Sequence, residues 1–253
     1  LTFHILRELE KRGEIPDQGM VVKTLVTTSL LSDICESFDV EMRTDLLVGF
    51  KYIGEVIDKD LRGCEDRFIF GAEESHGYLR GTFVRDKDAA PAAILMAELT
   101  AVLKAQGKTP YDLLQDLSRR YGYYLEDLKS VVLKGEEGLR QIGRMMEGFR
   151  KNPPRDLGGV GIVRIEDYGE GKVVDPATGQ VVRDISKPRG NILIFRLSED
   201  ERSWLAVRPS GTEPKIKFYL SVYAPVGADD DLDAVKQLAA EKAERIWAAV
   251  PRA

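Results

Sequence analysis

The chain has 253 residues, 43% of them apolar and 31% charged, enough to build the core of one or two globular domains. Its formal net charge of −5 argues against a nucleic-acid or anionic-membrane surface, so any anion must be bound locally, in a pocket. Two cysteines, Cys35 and Cys64, make neither a disulfide framework nor a metal-ligand pair, which fits a reducing, cytoplasmic setting.

Residues 3–12 carry Ile5, Leu6 and Leu9 at helical spacing, and Pro16 and Gly19 turn the chain after them. Met20–Val26 is a β-branched run suited to a buried strand. Thr28 or Ser29 can cap a helix bearing Leu30, Leu31, Ile34, Cys35 and Phe38. A short strand is predicted at Val40–Arg43, a helix at Phe50–Asp58, and a third strand at Arg67–Phe70 that runs into a polar loop. The apolar stretch from Ala89 to Leu103 is broken by Pro91, Glu98 and Thr100, so it reads as a buried helix with Ala92, Leu95, Met96, Leu99 and Leu103 inside. Thr109-Pro110 starts another helix, reaching about Arg120.

This alternation predicts an α/β sandwich with a mostly parallel mixed sheet over residues 1–128. Over 129–253 the pattern changes to α+β. A strand at Ser130–Lys134 and a helix at Glu136–Lys151 with Leu139, Ile142, Met146 and Phe149 precede a cluster of strands and a last helix from about Asp229–Asp231. An antiparallel sheet backed by helices is expected there.

Two loops carry chemistry. Arg208-Pro209-Ser210-Gly211-Thr212-Glu213-Pro214 joins a planar guanidinium, two hydroxyls and a glycine between prolines, followed by Lys215 and Lys217 on one strand face. Those groups suit a phosphate clamp; a rigid turn with an exposed Arg would use the same residue types. Gly71-Ala72-Glu73-Glu74-Ser75-His76-Gly77-Tyr78 follows a strand at the edge where ligands of parallel sheets bind, and its carboxylates and hydroxyl suit sugar hydroxyls, or simply solvent. The aspartates of Arg85-Asp86-Lys87-Asp88 and of Asp229-Asp230-Asp231 suit helix caps better than a cation, and leave Lys87 available to a ligand. His4, on an amphipathic helix, is expected at the surface. There is no phosphate-binding Gly-x-x-x-x-Gly-Lys-Ser/Thr loop, no dinucleotide fingerprint and no Gly-x-Ser-x-Gly elbow, and no nucleophile with a neighbouring base stands out.

Val22-Lys23-Thr24-Leu25-Val26-Thr27-Thr28-Ser29, Val48-Gly49-Phe50-Lys51-Tyr52-Ile53-Gly54, Phe70–Ser75, Arg85–Asp88 and Arg208–Pro214 together resemble, in order, motifs of the α-D-phosphohexomutases, the phosphoglucomutases and phosphomannomutases. Tyr121-Gly122-Tyr123-Tyr124 and its surroundings look most like the bacterial phosphoglucomutase and phosphopentomutase-like branch. The resemblance covers essentially the whole chain and implies domains three (1–128) and four (129–253) of a longer, four-domain mutase. The family's phosphoserine loop and Asp-x-Asp-x-Asp metal loop are not in this sequence, and the first residue is Leu, so a fragment is expected.

The resemblance implies sugar contacts from Glu73 and Ser75, with Gly49 and Lys87 nearby. It implies a clamp for the phosphate not being transferred from Arg208, Ser210, Gly211 and Thr212, with Lys217 beside it. At position 76 many relatives carry Gly or Phe, which leaves His76 without an assigned role. Interconversion of hexose 1-phosphate and hexose 6-phosphate through a phosphoserine and a bisphosphate is the implied activity. Mg²⁺ and a hexose 1,6-bisphosphate activator would serve the complete enzyme, while this chain alone would contain no catalytic or metal-binding residue and would be inactive. The implied partners are a phosphorylated sugar and the N-terminal domains of the same polypeptide, with neither nucleic acid nor membrane. The alternative is a stand-alone sugar-phosphate binding or sensor protein of the same fold.

Overall fold

The computed structural model describes residues 1–186, 188–211 and 213–250. The chain forms two compact units, Leu1–Tyr121 and Gly122–Ala253.

The first unit is organised by a four-stranded sheet. Helix α1 (Thr2–Arg12) leads into strand β1 (Met20–Thr24), followed by α2 (Leu30–Glu36), β2 (Glu41–Leu46) and α3 (Phe50–Glu55). A π-helical turn over Val56–Asp60 prolongs α3. Strands β3 (Phe68–Glu73) and β4 (Gly77–Leu79) and helices α4 (Ala89–Ala105) and α5 (Pro110–Tyr121) complete the unit. The sheet order is β2-β1-β3-β4, with β1 parallel to both neighbours and β4 antiparallel to β3.

Every residue of β1 and β3 is buried, as expected of strands covered on both faces. Alternation divides them: Val21 packs with Ile5, Leu6 and Leu9 of α1 and Leu31, Ile34 and Cys35 of α2, whereas Met20 and Val22 pack with Phe50 and Ile53 of α3 and with Ile57. Because β1, β2 and β3 run the same way, their last residues Thr24, Leu46 and Glu73 share one sheet edge.

Three expectations for this unit are corrected. Strand β1 stops at Thr24, because Thr27 N–H closes a turn on Thr24 O at 3.1 Å. The apolar stretch is helical as α4 but only half buried: Leu99 and Leu103 pack against Leu113 and Leu117 of α5, while Met96, expected inside, is 43% exposed and Ile94 67%. Among the described residues no helix is long and apolar enough to cross a membrane. His4 is buried, not at the surface; its Nε2 lies 3.2 Å from Glu98 Oε1 on α4.

The second unit opens with β5 (Tyr123–Val132) and α6 (Gly135–Lys151). A small hairpin follows, β6 (Asp156–Leu157) and β7 (Val160–Gly161). Strands β8 (Arg164–Asp167), β9 (Lys172–Val174), β10 (Val181–Asp184), β11 (Leu193–Arg196), β12 (Trp204–Pro209) and β13 (Lys215–Ala224) and helix α7 (Leu232–Ala249) complete it. The boundary expected after residue 128 falls inside β5.

Seven strands form an antiparallel sheet in the order β10-β9-β8-β11-β12-β13-β5. Its inner face, with Phe195, Leu205, Val207, Ile216 and Phe218, packs on Ile142, Met146 and Phe149 of α6 and on Ala239, Ala243 and Ile246 of α7. Leu139, expected in that stripe, is exposed. A mixed α/β first unit and an antiparallel second unit backed by helices match the fold class expected from the sequence.

Candidate functional site

The shared carboxyl edge of β1, β2 and β3 gathers the polar motifs of the first unit. At the end of β1, Lys23 is buried and donates from Nζ to Thr27 O at 2.9 Å, while the Thr24 and Thr27 hydroxyls lie 2.8 Å apart. A lysine costs free energy when it is removed from water, so this one has to be tied, and it ties the loop leaving β1. Beyond β2, Gly49 takes φ 133° and ψ 130° as the residue preceding α3, a conformation that disfavours any side chain.

Strand β3 ends on Glu73, which pairs with Gly77 of β4 across a turn of Glu74, Ser75 and His76. His76 adopts φ 59° in this turn, the left-handed position that closes a three-residue hairpin. Gly77 has a different reason to be glycine. A Cβ there would lie 2.4 Å from Glu73 Cγ and 2.8 Å from its Oε1, so the glutamate side chain occupies that space.

Two donors meet on one oxygen of this buried carboxylate. Lys87 Nζ reaches Glu73 Oε1 at 2.7 Å, and Ser75 Oγ donates to the same atom at 3.3 Å. The hydrogen bond to Glu73 pushes the Lys87 ammonium above its ordinary pKa, its charge being favoured beside a carboxylate. Lys87 arrives on a segment fixed at two points: Asp88 N–H donates to Tyr78 O of β4 at 2.8 Å, and the backbone at Arg85 lies against α3 at Gly54, where a Cβ would come within 2.4 Å of Arg85 O. Asp88 also accepts from Ala90 N–H at 3.0 Å, which is the helix cap expected for it. Glu73, Ser75 and Lys87 are therefore brought together in one unit, and Gly49 stands on the same sheet edge.

In the second unit, Arg208 near the end of β12 and Lys217 on β13 are cross-strand partners, with Ser130 of β5 next in the same row. Like charges directly opposite one another destabilise a sheet, and an anion placed between them would remove that cost. Among the described residues no carboxylate is in an ion pair with Arg208 or Lys217, whereas neighbouring Lys215 is paired with Glu213. The loop is closed by Ser210 N–H donating to Lys215 O at 2.8 Å, and Leu133 N–H holds Pro214 O at 2.9 Å. A Cβ on Gly211 would meet nothing within 4 Å, so neither packing nor a positive φ calls for glycine there. Thr212, the remaining clamp residue expected from the sequence, lies outside the described residues.

Gly77 and Lys23 were not singled out by sequence reasoning. A charged residue directly after the apolar run Met20-Val21-Val22 and before Thr24-Leu25-Val26 was the available signal for Lys23; nothing short of the hairpin's geometry points to Gly77.

Comparison with known proteins matches residues 1–121 to the phosphoglucomutase/phosphomannomutase alpha/beta/alpha domain III. The chain is 35% identical over 218 residues to a phosphoglucomutase of Staphylococcus haemolyticus, covering 86% of this chain and 38% of that protein. A Staphylococcus aureus (strain USA300) phosphoglucomutase is 36% identical over 210 residues, 81% of this chain and 36% of the relative. Among solved structures, pp63/parafusin, a phosphoglucomutase from Paramecium, shares the fold with a TM-score of 0.59 at 14% identity, over 99% of this chain and 42% of that one. A Thermus thermophilus protein described as a phosphomannomutase gives a TM-score of 0.53 at 19% identity, over 96% and 39%. The chain thus spans well under half the length of the relatives it matches. The first unit thus matches a phosphoglucomutase/phosphomannomutase domain III, and 86% of the chain is similar, at 35% identity, to part of a phosphoglucomutase.

Proposed function

We propose that this chain is the substrate-holding part of a phosphosugar mutase that interconverts a hexose 1-phosphate and a hexose 6-phosphate through an enzyme phosphoserine and a bisphosphate. The observation that carries the reading is the buried Glu73 carboxylate at the carboxyl edge of domain III, oriented by Ser75 and Lys87. A carboxylate and a hydroxyl side by side accept from adjacent sugar hydroxyls, and they tolerate the sugar in either of two orientations because a hydroxyl pair looks alike from both. Arg208 and Lys217, with Ser210, Gly211 and Thr212, take the phosphate that is not being transferred. The glycine at 211, which the fold itself does not require, would let the backbone approach that phosphate.

The contribution to rate is positioning. A phosphate gripped away from the reacting centre supplies binding energy that holds the reacting oxygen in line. Magnesium and a hexose 1,6-bisphosphate activator are assigned to the complete enzyme. Among the described residues no group of three or more His, Cys, Asp or Glu side chains could hold a metal ion. The complete enzyme is read as cytoplasmic.

The test compares this chain with a complete polypeptide containing it, each given glucose 1-phosphate, Mg²⁺ and glucose 1,6-bisphosphate. The complete protein is expected to turn over and this chain is not. Turnover by this chain alone, or a complete protein without mutase activity, would overturn the proposal.

A further inference from the structure

We propose that Lys87 is a positioning residue that acts on the substrate through Glu73, fixing which carboxylate oxygen is offered to the sugar. The inference rests on the reading of the Glu73 turn as the sugar-hydroxyl site and deepens it. Glu73 is buried while the Lys87 side chain is 48% exposed, so the carboxylate is the fixed partner and the lysine reaches in to it. Both Lys87 Nζ, at 2.7 Å, and Ser75 Oγ, at 3.3 Å, donate to Oε1. Among the described residues none donates to Oε2, which is left to accept from a ligand hydroxyl.

The hairpin enforces this division between the two oxygens. Gly77 leaves room for the glutamate on one side, and the Asp88 N–H to Tyr78 O bond ties the segment bearing Lys87 to the same strand, β4. The lysine, the carboxylate and the serine therefore move as one body. With its proton directed to Oε1, Ser75 keeps its lone pairs for a second hydroxyl. The turn then presents two acceptors side by side, the complement of a vicinal diol acting as a double donor. Without Lys87 the carboxylate would be free to turn either oxygen towards Ser75, and the pair of acceptors would lose its fixed spacing.

The experiment is a double-mutant cycle on the complete polypeptide, with Lys87→Met, Glu73→Gln and their combination, and with Lys87→Arg as the conservative variant. Steady-state rates with glucose 1-phosphate are read together with unfolding midpoints. Lys87→Met is expected to raise KM about tenfold with kcat nearly unchanged, the pattern of lost ground-state binding. In the Glu73→Gln background the same change is expected to cost less than about twofold, because the two residues form one unit. Lys87→Arg should restore most of the lost affinity, and unfolding midpoints should stay together. An unchanged KM in Lys87→Met overturns the proposal. Penalties that multiply also overturn it, since Lys87 would then touch the substrate itself. If Glu73→Gln is itself without effect, the sugar-site reading fails, and that outcome is distinct from both of these.

Discussion

Gly77→Ala is the most informative single substitution in the first unit, because it adds one methyl group where the candidate acceptor already lies. The new Cβ would stand 2.4 Å from Glu73 Cγ, 2.8 Å from Oε1 and 2.9 Å from Cδ, all inside the 3.0 Å that real Cβ contacts respect. Regaining ordinary carbon–carbon separation requires a shift of about 1 Å. Glu73 cannot simply swing into solvent, since it is only 4% exposed. Overpacking of this kind costs about 1–3 kcal/mol of stability. Disruption of the Glu73–Lys87 pair adds less than about 1 kcal/mol, because Lys87 is half exposed and its charge is screened by water. The functional loss should exceed the structural one, as misplacing a binding group by about 1 Å can cost on the order of 100-fold in rate. Urea unfolding of this chain measures the first effect, and kcat/KM of the complete polypeptide with glucose 1-phosphate measures the second. An alanine variant with wild-type stability and kcat/KM within twofold would show that Gly77 does not set the carboxylate's position.

Arg208→Ala in the complete enzyme is expected to lower kcat/KM by about 1.5–3 kcal/mol, the range for losing a hydrogen bond to a charged group, and an unchanged kcat/KM would remove the loop from the mechanism. Burial pushes the Cys35 thiol up to about 12, whereas Cys64 is partly exposed; a thiol reagent at pH 8 should therefore modify one cysteine in the folded chain and both after unfolding. Burial also lowers the pKa of His4, outweighing the opposing pull of Glu98. The unfolded chain then binds that proton more readily, so the contribution of neutral His4 to stability is complete above the unfolded value of about 6.5 and falls away as pH drops towards the lower folded value. His4→Asn should flatten the urea stability profile below about pH 6.5, and a profile identical to wild type would contradict the assignment.

The elements that the sequence made legible are those whose period and punctuation agree. Val21 alternates with Met20 and Val22 and is buried with them in β1, and Thr109-Pro110 opens α5 with the cap its residues advertise, Asp112 N–H donating to Thr109 Oγ1 at 3.2 Å. Strand β4 was not visible, because Glu74-Ser75-His76 has none of the Asn-Gly or Asp-Gly character of short hairpins and reads as a polar loop. His4 misled because an amphipathic pattern assigns a polar residue to solvent, while its actual surroundings are set by α4, which lies 94 residues away in sequence at Glu98. In α4 the difficulty is reversed. Apolar residues surround the helix, so periodicity cannot say that Leu99 and Leu103 turn inward while Ile94 and Met96 stay exposed. The candidate loops were found from residue chemistry, but the 2.7 Å tie between Glu73 and Lys87 joins positions whose pairing no local pattern encodes.

The central claim is that one turn of this chain reads sugar hydroxyls and one strand pair grips phosphate. Amide chemical-shift titration of the chain with inorganic phosphate, and separately with glucose 6-phosphate, tests it most directly. Inorganic phosphate should move Arg208, Ser210, Gly211 and Lys217 and leave Glu73, Ser75 and Gly77 in place, while glucose 6-phosphate should move both sets. Shifts at neither set with glucose 6-phosphate, or phosphate-induced shifts centred away from Arg208 and Lys217, would contradict the account.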